Sequence, residues 1–68
     1  MSTYKIVDVI GTSPNSWEEA VQSAVSDAAK SLRHLRVAEV SQLDVTLTDD
    51  GKVQEFRAKV HLSIKHEG

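Results

Sequence analysis

The chain has 68 residues, with 8 Lys and Arg against 10 Asp and Glu, a formal charge of −2, no Cys, one Pro, and one each of Trp, Tyr and Phe. This length makes one small domain over residues 1–68, the sequence has no run of about 18 apolar residues to span a membrane, and Met1-Ser2-Thr3-Tyr4-Lys5 lacks the basic start and apolar stretch of a signal peptide. Without Cys there are no disulfides, thiolate nucleophiles or cysteine zinc sites, which fits a reducing cytoplasm, and the slight acidity argues against a nucleic-acid binder.

Tyr4 to Ile10 is rich in β-branched residues and stops at Gly11, which predicts a first strand. Its apolar side chains fall on both parities, Ile6 and Ile10 on one face, Val7 and Val9 on the other. A three-stranded sheet under one helix should have a polar second face, so two apolar faces call for a second cover, with Val7 and Val9 as the side expected to need it.

Thr12-Ser13-Pro14-Asn15-Ser16 is a run of turn formers, and Ser16-Trp17-Glu18-Glu19 reads as a capping box, with Ser16 accepting from the Glu19 amide and Glu19 reaching back to the Ser16 amide. Trp17, Ala20, Val21, Ala24, Val25, Ala28 and Leu32 then recur at helical spacing, which predicts a helix from Trp17 to about Leu32 or His34. Its Ala-rich stripe suits a close approach to a sheet.

Arg36 to Thr48 reads as a long second strand with a change of phase: Ala38 and Val40 share one parity, Leu43, Val45 and Leu47 the other. A bulge near Ser41-Gln42 would keep one face buried throughout; alternatively the two halves bury opposite faces. Asp49-Asp50-Gly51-Lys52 is a hairpin turn. The third strand alternates cleanly, with Phe56, Ala58, Val60, Leu62 and Ile64 pointing one way and Arg57, Lys59, His61, Ser63 and Lys65 the other, before a polar tail, His66-Glu67-Gly68. The fold class is therefore α+β, in the order β-α-β-β. A right-handed crossover with strand three between the others gives a three-stranded antiparallel sheet in the order 1-3-2, packed on one helix.

Ordering 68 residues costs roughly 100 kcal/mol, and so small a domain buries only about 60% of its unfolded surface. Association is the expected remedy, since disulfides are absent and no strong metal motif is present.

Catalysis finds little support. Gly11-Thr12-Ser13 precedes a helix but lacks the remainder of a phosphate loop, and Pro14 removes an amide donor. His34, His61 and His66 form no H-x-x-H or H-E-x-x-H pattern; His34 is placed to satisfy carbonyls of the last helical turn. Glu18 and Glu19 read as cap and dipole groups, and Asp49-Asp50 as a turn rather than a calcium loop. The cationic stripe Arg57, Lys59, His61, Lys65 reads as a face solvated or paired with Glu39 or Asp44, and has no aromatic platform for bases. The expected class is a non-enzymatic one.

Val9-Ile10-Gly11-Thr12-Ser13, Ser16-Trp17-Glu18-Glu19-Ala20, Ala38-Glu39-Val40 and the strand around Phe56-Arg57, in this order and at this length, resemble the dodecin family from about Tyr4 to Lys65. The resemblance implies a hollow homododecamer that binds and stores a small ligand, a flavin such as FMN or riboflavin in well-known members, held between subunits. Three positions carry it over: Val37, where flavin-binding members have a stacking Trp; Glu39, which matches; and Arg57, where a Gln usually bonds the ring. With Val37 and Arg57 at those places the chain resembles the branch that lacks the Trp, for which calcium or other ligands are described, and weak flavin affinity is expected.

Overall fold

In the computed structural model, which describes residues 1–67, the chain runs β1 (Ser2–Ser13), α1 (Trp17–Ala29), β2 (Leu35–Leu47) and β3 (Val53–Glu67). The three strands form one sheet in the order β1-β3-β2, and both pairings are antiparallel. Gly68, the end of the expected polar tail, lies outside the described residues, whereas His66 belongs to β3 opposite Thr3.

β1 is longer at both ends than Tyr4 to Ile10, because β3 offers partners along its whole length: Gly11 pairs with Ala58, Thr12 with Arg57 and Ser13 with Phe56. Gly11 does not end the strand. It is where the helix comes closest, since a Cβ there would stand 2.0 Å from the Ala20 carbonyl oxygen and 2.8 Å from Ala24 Cβ. The assignment of faces in β1 is also reversed. Val9 packs against the buried cluster of Ala20, Ala24, Ala28, Ala58, Val60 and Leu62, and Val7 lines the cleft beside Ala24 and Ala28, so Val7 and Val9 face the helix. Ile6 and Ile10 are the pair left open, 56% and 54% exposed.

The helix starts as the sequence implies at one half of its capping box: the Glu19 amide donates to Ser16 Oγ at 3.0 Å. The reciprocal half differs. Glu19 accepts from Asn15 Nδ2 at 3.1 and 3.2 Å, and the Ser16 amide turns to the buried Ser13 Oγ at 3.4 Å. The helix ends at Ala29, short of Leu32 or His34. Ser31 and Leu32 both donate to the Ala28 carbonyl in a closing turn, and His34 then takes a left-handed φ of 63° that reverses the chain into β2. His34 contributes its main chain: its carbonyl accepts from the Lys65 amide at 3.1 Å.

β2 bulges between Val40 and Gln42, and the register places Ala38, Val40, Leu43 and Val45 opposite Leu62, Val60, Ala58 and Phe56. The bulge thus holds all four on the helix side, and the alternative of two oppositely buried halves is set aside. Further shifts fall at Leu35/Val37 and Thr46/Leu47. The turn closes as Gly51, at φ 82°, donates to the Thr48 carbonyl, the left-handed position for which Gly is suited.

The helix lies over β1 and β3 and barely reaches β2, so Val40 and Leu43 remain exposed although they share the core's face. The molecule measures 52 × 19 × 15 Å with a radius of gyration of 14.0 Å, against roughly 11 Å for a compact domain of this length. Its 5074 Å² of accessible surface likewise exceeds the roughly 4,250 Å² typical of a folded monomer this size. One chain leaves much of its apolar surface wet.

Candidate functional site

The sheet face away from the helix carries the candidate residues. Strict alternation on β3 sends Arg57, Lys59, His61, Ser63 and Lys65 to that face, while Ala58, Val60 and Leu62 are buried beneath the helix. Register then brings Asp8 of β1 and Glu39 of β2 to either side of His61, and Ile6 and Val37 to either side of Ser63. These six residues line an open depression of about 470 Å³.

Two of the three positions proposed from the sequence, Val37 and Glu39, therefore share one hollow. Arg57 does not join them. It sits four residues along β3 from His61, roughly 13 Å away, and opposite Asp44. There its Nε donates to Asp44 Oδ1 at 2.7 Å and its Nη2 to Oδ2 at 2.8 Å. The Arg57 hydrogen bonds hold the Asp44 carboxyl below the usual carboxylate range, and in return raise Arg57 further above its ordinary value. The same Asp44 is tied from the other side of the sheet, where its carbonyl accepts from Trp17 Nε1 at 3.0 Å. Trp17 also meets Phe56 edge to face with ring centroids 5.1 Å apart, so it packs, as its place in the first helical turn suggests.

Asp8 and His61 are the residues that sequence reading left out of the site. Asp8 Oδ1 and His61 Nδ1 are hydrogen-bonded across the β1/β3 pair. The signal lay in the proposed strand order: a 1-3-2 sheet makes a central-strand His the neighbour of both edge strands, but which residues flank it depends on a register that alternation alone does not set. Of the cationic stripe, Arg57 and His61 are held by carboxylates within the chain, and Lys65 also has a partner.

In chemical terms the hollow offers two carboxylates, an imidazole, a hydroxyl and two aliphatic walls, with no Trp, Tyr or Phe among its lining residues. Among the described residues, no three of His, Cys, Asp and Glu come close enough to hold a metal ion within one chain. Among them too, no helix is long and apolar enough to cross a membrane.

A family model described as Dodecin matches residues 3–67. The chain belongs to the dodecin family. It is 45% identical over 65 residues to the calcium dodecin of Mycobacterium tuberculosis, covering 96% of this chain and 90% of that one. It is 36% identical over 64 residues to the dodecin of Thermus thermophilus, covering 94% and 91%. The solved structure of the calcium-chelating calcium dodecin of M. tuberculosis, described with a calcium-binding site, superposes with a TM-score of 0.83 at 42% identity, over 96% of this chain and 91% of that one. The fold expected from the sequence and the family it resembles are both found.

Proposed function

We propose that this dodecin is a non-enzymatic, cytoplasmic subunit that assembles with its own copies into a hollow dodecamer and holds a small ligand on the sheet face away from the helix, around Val37 and Glu39. A divalent cation such as calcium suits that face better than a flavin. The observation that carries this reading is the row Asp8–His61–Glu39 beside Val37. Calcium takes 6–8 oxygen ligands; Asp8 and Glu39 flank His61 from opposite strands and do not converge within one chain, so each would serve as one ligand of a site completed by carboxylates of a second copy. The exposed Ile6, Ile10, Val40 and Leu43 give copies an apolar reason to associate. Kinship to a calcium dodecin agrees with the cation reading.

A flavin at the same place loses its stacking partner. Stacking of this kind is worth about 1–3 kcal/mol per ring, so a Val where a Trp would stand weakens flavin roughly 5- to 150-fold. Arg57, bound to Asp44, does not replace the Gln.

Calorimetric titration of the assembled protein with calcium and, separately, with riboflavin tests the proposal. Saturable calcium binding that is lost in Glu39→Gln, with riboflavin weaker than micromolar, is expected. Nanomolar riboflavin affinity, or calcium binding indifferent to Asp8→Asn and Glu39→Gln, overturns it. In the flavin arm, Val37→Trp with Arg57→Gln should restore riboflavin affinity; an assembled double variant with no gain means that other positions silence the flavin.

A further inference from the structure

Arg57 presents its planar fork to Asp44 through two nearly equal hydrogen bonds of 2.7 and 2.8 Å. This is the geometry in which a guanidinium recognises a phosphate or a ligand's carboxylate. The Nε/Nη2 edge of Arg57 is thus already filled, by an anion of the same chain. Asp44 is held in place for that task from behind: the Trp17 indole N–H fixes its carbonyl at 3.0 Å, and Trp17 packs on Phe56, the residue before Arg57. Position 44 is anchored on the helix side of the sheet while its side chain acts on the other.

The availability of that edge depends on this residue. Asp44 is the carboxylate set directly against Arg57, on a face that also carries Asp8, Glu39, Glu55, Lys59 and Lys65; without its charge the Nε/Nη2 edge of Arg57 stands open. We propose that Asp44 is a specificity-determining residue of the sheet face, which occupies Arg57 and so excludes anionic ligands such as phosphates from it. This deepens the proposed function, resting on it only for the face on which a ligand is held.

The test is a calorimetric titration with inorganic pyrophosphate of the assembled wild type, Asp44→Asn and Asp44→Asn/Arg57→Gln. Asp44→Asn keeps the main-chain carbonyl for Trp17 and removes the charge. It should bind pyrophosphate at least about tenfold more tightly than wild type, the scale of one charge-assisted bond, and the double variant should return to the wild-type level. Equal affinity in wild type and Asp44→Asn, or a gain that survives loss of Arg57, overturns the proposal. Asp44→Ser, which also keeps the carbonyl, gives the same readout if the Asn variant does not assemble. Calcium titration of the same proteins reports separately on the cation reading, since Asp8 and Glu39 are untouched.

Discussion

Gly11 is where strand and helix come closest, and the contact leaves no room for a methyl group: the atom in the way is the Ala20 backbone oxygen at 2.0 Å, which cannot rotate aside. Gly11→Ala must push α1 from the sheet, and overpacking of this kind costs about 1–3 kcal/mol. A drop in melting temperature with retained assembly is the expected result. Ser16 acts differently, through the Glu19 amide; Ser16→Ala should cost about 1 kcal/mol and leave calcium and riboflavin titrations unchanged, because α1 begins on the side of the sheet away from the hollow. Asp44 gives a pH signature. Its folded pKa is lowered from 3.8 by Arg57, so the pair stabilises the fold above that value and the contribution is lost as pH falls through the lower folded pKa. Comparison of wild type with Asp44→Asn by thermal melts should show a small stability difference at pH 7 that disappears in acid and shrinks in high salt, as befits an exposed pair.

Among the elements, β2 holds the most unusual device. The bulge between Val40 and Gln42 lets one strand keep Ala38, Val40, Leu43 and Val45 on a single face, and Ser41 fixes it by donating its hydroxyl to the Lys59 carbonyl at 3.2 Å. Deleting Ser41 removes the unpaired residue, so Ala38, Val40, Leu43 and Val45 then share one face by plain alternation and keep their partners on β3. Retained cooperative unfolding in the deletion variant is expected; its loss would mean that the bulge does more than correct the phase of the strand. The change of apolar parity was legible in the sequence as a conflict between two readings. Only pairing with β3 chose between them. Helix α1 tells the opposite story: its Ala stripe announced close packing, yet the stripe is narrow, so it covers β1 and β3 and leaves β2 bare.

At the scale of the whole molecule, a slab 52 Å long with a radius of gyration of 14.0 Å is a poor way to bury a core. Each exposed Ile, Val or Leu that becomes fully buried contributes about 1.5–3 kcal/mol, and Ile6, Ile10, Val37, Val40 and Leu43 all stand open in a single chain. Size-exclusion chromatography with light scattering should therefore give a dodecamer at micromolar concentration, and Ile10→Asp with Leu43→Asp should break it. A well-folded monomer of the unaltered chain would sink the assembly reading.

The sequence by itself determined the order β-α-β-β, the N-cap at Ser16, the hairpin at Asp49-Asp50-Gly51 and the two faces of β3, because each follows from local chemistry or from a period of two or 3.6 residues. It also carried the family, through short motifs at matching lengths. The tertiary structure decided what depends on residues far apart in the chain. It turned Val7 and Val9 to the helix rather than to water, since both parities of β1 are apolar and only the helix's position distinguishes them. It gave Arg57 to Asp44, and it set Asp8 and Glu39 beside His61, because cross-strand neighbours follow from register, and register is fixed by the packing of a face rather than by the composition of any one strand.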